Sequence, residues 1–248
     1  MTTLDIKGDA ARAFAIMKNG GVAIAPNDTG YGLLASSLPA LKKINRTKGR
    51  GGHKRNALLC NLATQRELHV LDARAQEMIE AITVDYDLPL GPVAPCNLGH
   101  PLLANVDPVL LETSTADNTI AMLLNAGPFW AELTKLSREE MVPIFGSSAN
   151  LTGSGPKFRI EDIEPEIRAI ADVTIDYGLR RYHTYQRSGT IIDFRTVTVV
   201  RIGVCYELIS DVLLRHFEIQ LPPDPGLQAL RSGHLNEFGL KPVDLNQE

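Results

Sequence analysis

Short apolar runs alternate with amphipathic stretches along most of this chain. Apolar residues three and four positions apart are typical of helices, and short apolar runs between turn residues are typical of buried strands. The segments with helical spacing are residues 9–17, 38–47, 72–82, 129–136, 160–171 and 206–217. The segments with the strand pattern are residues 22–25, 33–35, 57–62, 119–124, 142–145, 173–176, 190–194 and 196–202, the last two forming a hairpin. This alternation predicts an α/β fold with a mixed, twisted sheet.

Stretches rich in glycine, proline or charge interrupt the alternation, and we expect loops or irregular structure at residues 26–32, 48–56 and 85–107. The character of the chain changes again at Cys205. One amphipathic helix follows, and then a proline-bearing, loop-like segment at residues 221–248. We therefore expect one domain over residues 8–204 and a helical and irregular extension over residues 205–248 that packs on it.

Composition narrows the class of protein. The chain has 248 residues, of which 44% are hydrophobic and 22% are charged, as is typical of soluble globular proteins. Its net charge of −4 provides no overall positive field for nucleic acid, so any RNA contact needs a local basic patch. No apolar run approaches the roughly 20 residues of a membrane span, and the N-terminus lacks the pattern of a signal peptide. We expect a cytoplasmic protein without a membrane partner.

The cysteines and histidines argue against metal or disulfide chemistry. Cys60, Cys96 and Cys205 are widely separated, and we expect each to be a small buried hydrophobe in a reducing compartment. The histidines are scattered and no HExxH motif occurs, which argues against a zinc site built by the protein. The phosphate loops GxxxxGKS/T and GxGxxG are absent from the sequence, as is the GxSxG elbow of serine hydrolases.

The first candidate for a ligand site follows the first predicted strand, in the segment PNDTGYGL at residues 26–33. Asn27 and Thr29 can supply polar contacts, the glycines allow tight curvature, and Tyr31 offers a stacking face with a polar tip. The same residues also suit a hairpin turn in which Asp28 caps backbone amides. The pattern alone leaves both interpretations open.

A second candidate is the basic segment after the helix at 38–47. Lys48 and Arg50 can converge on a phosphate chain, because arginine makes forked contacts and lysine supplies a point charge. Lys54 and Arg55 add two more cations. The alternative is a solvated basic loop, which is the commoner fate of such runs. The neighbouring glycines favour the ligand site, since they cost chain entropy unless the backbone needs them.

A third candidate is the segment GSSANLTG at residues 146–153, directly after a predicted strand. Ser147, Ser148 and Asn150 offer donors and acceptors without bulk. Ligands commonly bind where a strand of an α/β sheet ends. An ordinary serine- and asparagine-rich turn has the same composition and remains the alternative.

Two weaker candidates lie near the end of the predicted domain. The segment SGTIID at residues 188–193 makes a polar entry to a strand through Thr190, and the segment RIG at residues 201–203 ends a strand in Arg201. The plain alternatives are an ordinary strand start and an exposed arginine.

Taken in order, these five segments resemble the YrdC family, the threonylcarbamoyl-adenylate synthases. The family pattern runs PT-D/E-T-x-YGL, KxR, SAN-x-SG, PST followed by two apolar residues and Asp, and RxG. The matching segments here are PNDTGYGL at 26–33, KGR at 48–50, SANLTG at 148–153, SGTIID at 188–193 and RIG at 201–203. The resemblance implies a twisted mixed sheet with flanking helices around a large concave basic cavity.

The resemblance also implies a reaction and a set of roles. Members join threonine, bicarbonate and ATP into threonylcarbamoyl-AMP with release of pyrophosphate, for threonylcarbamoyladenosine modification of tRNA. The implied catalytic residues are Lys48, Arg50 and Thr29. The implied nucleotide-binding residues are Ser147, Ser148, Asn150 and Arg201. The residues implied for the amino acid and its carbamate are Asn27, Tyr31 and Thr190.

The implied partners are ATP, bicarbonate and an amino acid. ATP is expected as a substrate that carries Mg²⁺ with it, and no metal site built by the protein is expected. A contact with tRNA or double-stranded RNA is also implied. Two roles are open for the segment at 206–248: it covers the mouth of the cavity, or it forms a homodimer surface through Leu213, Leu214 and Phe217.

Several positions depart from the family pattern. Asn27 stands where members have threonine, and Gly51 stands where they have proline. Residues 121–126 lack the arginine of the family's RVP segment, and residues 188–190 lack the proline and serine of its PST segment. The cations are retained while the small-substrate contacts differ. We therefore expect a divergent member with a different amine substrate or weakened activity.

Two other functions stay open at this point. One is a YrdC-like module that binds nucleotide or double-stranded RNA without catalysis. The other is a partner in carbamoyl transfer, which ranks last because this sequence shows none of the additional domains of the larger carbamoyltransferases.

Overall fold

The protein is described by a computed structural model that covers residues 4–51 and 55–235. The strands are β1 Ala23–Asn27, β2 Gly30–Ala35, β3 Ala57–Leu59, β4 Gly91–Pro95, β5 Thr115–Ala116, β6 Thr119–Leu123, β7 Ile144–Ser148, β8 Val173–Thr174, β9 Ile191–Asp193 and β10 Thr198–Arg201. The α-helices are α1 Ile6–Lys18, α2 Leu38–Lys48, α3 Leu62–Leu68, α4 Ala73–Glu80, α5 Pro101–Ala104, α6 Pro108–Glu112, α7 Pro128–Glu139, α8 Pro165–Ala169 and α9 Tyr206–Phe217. The predictions for Lys54 and for residues 236–248 lie outside the described residues.

The ten strands form a single mixed sheet. Its order is β10–β9–β4–β6–β3–β7–β2–β1–β8, with β5 paired to β6. The β3–β6, β4–β9 and β1–β8 pairs are parallel, and the remaining pairs are antiparallel. Helices cover both faces, and the predicted mixed α/β fold is confirmed.

Each face of the sheet has its own hydrophobic core. Alternate residues of a strand point to opposite faces, so a strand covered on both sides reads as a continuous apolar run. Leu33, Leu58 and Phe145 belong to the larger core, which α2, α4 and α9 cover. Leu34 and Ile144 belong to the smaller core under α1 and α7. All three cysteines are buried thiols, as expected from their apolar surroundings.

Two loop predictions are wrong. Residues 26–32 do not form an open loop, because β1 and β2 pair directly as a hairpin through Asn27↔Gly30. Residues 85–107 contain strand β4, which lies inside the sheet between β6 and β9. Two prolines and a glycine in the five-residue β4 give it none of the usual strand signal, and only its neighbours make it a strand.

Element bounds also differ from the prediction, most clearly around Pro165 and at the end of β7. The helix expected at 160–171 is a 3₁₀ turn, Ile160–Asp162, followed by the short helix α8. Pro165 starts α8 because proline is tolerated in the first turn of a helix and not in its interior. The strand expected at 142–145 is β7, which continues to Ser148 because β2 pairs with it there.

The described part of the C-terminal extension packs on the domain. Ile209, Val212 and Leu213 of α9 enter the larger core, while Leu214 is half exposed. A homodimer through this helix therefore has Leu214 and not Leu213 on its surface, and it stays a prediction. Between residues 4 and 235, apart from 52–54, no helix is long and apolar enough to cross a bilayer.

Candidate active site

The first candidate segment is the tip of the β1–β2 hairpin. Asp28 and Thr29 are the turn residues between Asn27 and Gly30. Asn27 Oδ1 accepts hydrogen bonds from Thr29 N (2.8 Å) and from Thr29 Oγ1 (2.7 Å). Gly30 has a φ of 142°, which favours glycine. We call residues 27–30 the hairpin tip, and its polar side chains hold one another in place.

Tyr31 leads from the hairpin tip into the larger core. Its ring is buried, and its Oη lies 2.8 Å from Gly178 O and 3.1 Å from Asp176 Oδ1. The same oxygen accepts a hydrogen bond from Tyr177 N (3.0 Å). Burial raises the pKa of Tyr31 to about 12. The described contacts of this hydroxyl fasten residues 176–178 beside the hairpin tip, and its predicted contact with the amino acid stays a prediction.

Lys48 joins α2 to the segment after β7. Its side chain is 3% exposed. Its Nζ donates hydrogen bonds to Ser148 O and to Asn150 O, the latter at 2.6 Å. The Lys48 carbonyl in turn accepts from Thr152 N (3.0 Å). The predicted link between the KGR and SANLTG segments therefore exists as direct contact, and Lys48 shapes the loop that it faces.

The serine and asparagine side chains of the third candidate lie at the end of β7 and just beyond it. Ser147 pairs with Leu33 and Ser148 with Gly32 in the β2–β7 ladder. Asn150 Nδ2 donates to Leu151 O (2.5 Å). Within the described part of the chain, Ser147 Oγ and Asn150 Oδ1 are buried without a hydrogen-bond partner. Such buried orphan atoms are costly, and a ligand with matching groups would satisfy them.

Arg201 and Thr190 lie where β9 and β10 separate. Arg201 donates from Nε (2.9 Å) and Nη2 (2.7 Å) to Gly189 O. Thr190 is completely buried, and its Oγ1 donates to Val204 O (2.9 Å) and accepts from Gly203 N (3.1 Å). A Cβ at Gly203 would overlap the backbone of residues 188–190, which explains the glycine of the RIG segment. Thr190 thus has scaffold contacts, and its predicted ligand contact stays untested.

The charges of Arg50 and Arg201 act on each other although 150 residues separate them in the chain. Burial, together with a smaller contribution from repulsion by the Arg50 guanidinium, lowers the pKa of Arg201 to about 10. Burial likewise lowers the pKa of Arg50 to about 10. Two cations that repel each other in a partly buried space create a place for an anion. We call Lys48, Arg50 and Arg201 the cation cluster.

The hairpin tip borders the cation cluster. A Cβ at Gly189 would lie 3.9 Å from Thr29 Cγ2, so the hairpin tip approaches the residue whose carbonyl Arg201 binds. The structure thus links Lys48 to Ser148 and Asn150, and Thr29 to Arg201 through Gly189.

Sequence reasoning missed the contacts of Asp28. Arg180 Nη2 lies 3.6 Å from Asp28 Oδ1, and Arg181 Nη1 lies 3.4 Å from Asp28 Oδ2. Arg180 Nε also donates to Asn27 O (3.0 Å), and Tyr182 N donates to Asp28 O (3.0 Å). The only feature of the sequence that could have indicated these contacts is the pair of adjacent arginines, in a segment between β8 and β9 without helix or strand periodicity.

Sequence reasoning also missed Asn56, which directly precedes β3. Its side chain is 1% exposed. The preceding residue, Arg55, accepts a hydrogen bond from Arg50 Nη2 at its carbonyl (2.7 Å) and donates from Nε to Thr115 O (2.7 Å). Arg55 therefore braces the cation cluster. Among the residues described, no group of three or more His, Cys, Asp or Glu side chains could hold a metal ion.

A family model covers this whole arrangement. The model of the Sua5/YciO/YrdC family, described as telomere recombination, matches residues 15–203. The chain belongs to the Sua5/YciO/YrdC family. The match runs from α1 to the RIG segment and so includes the hairpin tip and the cation cluster, as the resemblance of the five segments predicts.

Solved structures share the Sua5/YciO/YrdC fold. A hypothetical protein of Streptococcus mutans superimposes with a TM-score of 0.73 at 20% identity, over 85% of this chain and 92% of that one. Sua5 of P. abyssi, complexed with L-threonine, gives 0.67 at 22% identity, over 88% of this chain and 60% of that one. E. coli YciO superimposes with a TM-score of 0.61 at 22% identity, over 80% of this chain and 90% of that one. This chain therefore spans about three fifths of the length of the P. abyssi Sua5.

Proposed function

We propose that this protein is an enzyme of the threonylcarbamoyl-AMP synthase kind, which joins an amino acid, bicarbonate and ATP. The observation that carries the proposal is that Lys48 directly contacts the serine and asparagine segment, while Arg50, two residues further on, acts through its charge on Arg201. A cluster of three cations is what a triphosphate and a carboxylate require at close quarters. Family membership and the resemblance of the five segments support the same proposal.

In this reaction the protein mainly positions the substrates and stabilises their negative charge. The amine of the amino acid and bicarbonate give a carbamate and water. A carbamate oxygen attacks the α-phosphorus of ATP and forms the new O–P bond. The bond from that phosphorus to the oxygen leading to the β-phosphate breaks, and pyrophosphate leaves with its electron pair. Guanidinium groups stabilise the charge that spreads over the phosphoryl oxygens in this step.

Each part of the site has a proposed task. Arg50 and Arg201 bind phosphoryl oxygens, and Lys48 keeps the backbone after β7 in the shape that binds them. Ser148 and Asn150 add polar contacts to the nucleotide phosphates. Mg²⁺ carried by ATP neutralises part of the triphosphate charge. The product supports threonylcarbamoyladenosine modification of tRNA, which makes tRNA the proposed downstream acceptor.

The amino acid side of the site carries the departures from the family pattern. Residues 121–126 have no arginine, and the structure places a leucine there, Leu123, whose Cδ1 would lie 3.5 Å from a Cβ at Gly189. Without an arginine in this stretch, the forked carboxylate contact that the family pattern implies is missing here. We propose that the hairpin tip, through Asn27 and Thr29, holds the small substrate. Threonine is the first amino acid to test, because the P. abyssi Sua5 was solved with it.

Pyrophosphate release tests the proposal. Purified protein is incubated with ATP, Mg²⁺ and bicarbonate and with each of the twenty amino acids in turn. We expect pyrophosphate only when an amino acid, bicarbonate and ATP are all present, and we expect the adenylate product by mass spectrometry. If no amino acid stimulates release although ATP binds, the protein is not a synthase.

A binding module is the second candidate function, and the outer face of α2 favours it. Lys42, Lys43 and Arg46 line an open groove with Leu38 and Pro39. Such a local basic patch is what RNA contact needs in a chain of net charge −4. RNA binding that weakens steeply with salt, without any turnover of ATP, would support this candidate over the enzyme.

A further inference from the structure

Asn56 is unusual because its side-chain amide is buried without hydrogen-bond partners among the described residues. Its side chain is 1% exposed, and neither its Nδ2 nor its Oδ1 has a hydrogen-bond partner among residues 4–51 and 55–235. Its backbone is fixed, because Asn56 N donates to Thr113 O (3.2 Å). A buried amide without partners costs free energy that the fold gains nothing from. An amide held this way is suited to bind something that the protein itself does not supply.

Two hydroxyl groups near Asn56 share this condition. The β3–β7 register pairs Ala57 with Gly146, and one step further along the ladder places Asn56 opposite Ser147. Ser147 Oγ is a buried orphan, and so is Ser114 Oγ, next to the residue that fixes the Asn56 backbone. We call Asn56, Ser114 and Ser147 the orphan set. The β3–β7 register makes Asn56 and Ser147 neighbours, and Ser114 follows the residue whose carbonyl binds the Asn56 amide.

The orphan set lies at the cation cluster. Alternation along β3 and β7 puts Asn56 and Ser147 on the same face as Leu58 and Phe145, which is the face that α2 covers. At this end of α2, Lys48 binds Ser148 O, and Arg50 binds the carbonyl of Arg55. Asn56 and Ser147 therefore lie at the boundary between the larger hydrophobic core and the polar residues of the site.

The chemistry of a carboxamide limits what it can bind. Phosphate and carboxylate oxygens only accept hydrogen bonds, so they would satisfy Nδ2 and leave Oδ1 buried without a donor. A planar group with an N–H beside an acceptor satisfies both atoms at once. Two such groups occur in the proposed reaction: the N–H and oxygen of the carbamate, and the N6–H and ring nitrogen of adenine.

We propose that Asn56, assisted by Ser147, is a substrate-binding residue that recognises a planar N–H/acceptor edge through both atoms of its carboxamide. The proposal rests on the proposed function for the identity of the two sources, carbamate or adenine. It assigns a role to a residue outside the five segments that resemble the family pattern. It also predicts that Asn56 limits the stability of the protein while it serves the site.

The decisive variant is Asn56→Leu, which has a similar size and no polar atoms. Removing an orphan amide leaves the melting temperature unchanged or raises it, whereas a structural asparagine would lower it. The matched control is Thr134→Val, since Thr134 is equally buried on α7 and its Oγ1 bonds Trp130 O (2.8 Å). We expect the control to lose stability and keep its ligand affinity.

Binding by calorimetry then identifies the source. The ligands are ATP alone and a non-hydrolysable sulfamate analogue of an aminoacylcarbamoyl-AMP, which carries both planar groups. If Asn56 reads adenine, Asn56→Leu weakens both ligands at least about tenfold. If it reads the carbamate, ATP affinity is unchanged and only the analogue weakens by that factor. Asn56→Asp, which keeps the size and loses the N–H donors, should weaken the same ligand.

Three results would overturn the proposal. One is unchanged affinity for both ligands in Asn56→Leu. Another is a fall in melting temperature that matches the control, which would make Asn56 structural. The third is a water molecule on Asn56 in crystal structures both with and without the analogue. Wild-type protein that binds the analogue but makes no pyrophosphate would refute the proposed function alone, because these binding measurements do not depend on turnover.

Discussion

The cation cluster and the hairpin tip are neighbours, yet their polar groups are satisfied in different ways. At the hairpin tip, Asn27 binds Thr29, and Asp28 lies between Arg180 and Arg181. In the cation cluster, Arg50 and Arg201 repel each other, and Arg201 donates two hydrogen bonds to one neutral carbonyl, that of Gly189. The first region pairs opposite charges within the protein, whereas the second brings like charges together, and we propose that it binds an anion.

This difference suggests that the cation cluster binds the nucleotide, whereas the hairpin tip selects the small substrate. A site with repelling cations is organised for its ligand before the ligand arrives, which is the arrangement that stabilises phosphoryl transfer best. A region whose donors and acceptors already match one another must exchange those bonds for substrate contacts. We therefore expect the nucleotide to bind to the protein as it stands, and the small substrate to bind weakly unless the hairpin tip rearranges.

The largest effect should follow from Lys48→Met. The substitution removes a buried ammonium that holds two backbone carbonyls, so we expect a loss of about 2–4 kcal/mol in the free energy of unfolding together with loss of ATP binding. Urea denaturation and calorimetry measure the two quantities. Lys135→Met, on the exposed side of α7, is the control and should change the stability by less than about 0.5 kcal/mol. Unchanged stability of Lys48→Met would mean that the ammonium does not hold the loop.

Arg50→Ala should separate affinity from stability. The substitution removes a charged contact to the nucleotide and also relieves the repulsion at Arg201, so ATP affinity should fall about 10–100-fold while the melting temperature holds. Arg46→Ala, at an exposed arginine in the last turn of α2, should leave both quantities unchanged. Equal loss of affinity in the two variants would remove Arg50 from the site.

Acid should loosen the segment after β7 through protonation of Glu164. Burial raises the pKa of Glu164, but hydrogen bonds from Ser154, Lys157 and the Leu151 amide outweigh it and lower this pKa to about 2. A depressed pKa in the folded state adds stability above the ordinary carboxyl pKa, near 4.5, and this stability is lost as the pH falls from there towards 2.

The Glu164 contribution is about 1 kcal/mol after allowance for solvent screening, and pH-dependent denaturation measures it. Glu164→Gln should flatten the curve between pH 4.5 and pH 2, whereas Glu166→Gln, its exposed neighbour on α8, should leave it unaltered. The same slope in wild type and Glu164→Gln would assign the acid sensitivity to another carboxyl.

Tyr31→Phe should have the smallest effect. Its hydroxyl fastens Gly178 and the Tyr177 amide beside the hairpin tip, so we expect a loss of about 1 kcal/mol in the free energy of unfolding. ATP affinity should be unchanged, and the KM for the amino acid should rise. Tyr86→Phe, with an exposed ring, is the control. A fall in ATP affinity would show that the two regions are coupled rather than separate.

The sequence predicts the parts of the fold that depend on local pattern. Helix α9 begins and ends where its apolar spacing predicts, and α2 extends the predicted helix by one residue. Strand β4 could not be predicted, because its prolines and glycine act against a strand and its neighbours alone define it. The helix around Pro165 was overextended because periodicity was weighed above the proline.

Some residues of the candidate site could likewise be predicted from the sequence, and others could not. The cations and the serine and asparagine segment stand out by residue type, and their order along the chain resembles a family pattern. The contacts of Asp28 with Arg180 and Arg181 depend on a long-range crossing that no spacing indicates. Asn56 could not be identified either, since an asparagine before a strand reads as an ordinary turn residue until its burial is known.

The chain also protects its own outermost strand. Ile202 N donates to Gly233 O (2.8 Å), Leu235 N donates to Val200 O (3.1 Å), and Arg201 forms a bridge with His234. These residues occupy backbone groups of β10 that would otherwise lie open at the edge of a ten-stranded sheet. An open edge is a template on which other copies can add strands. Shortening the chain before Gly233 should therefore promote aggregation before it affects catalysis.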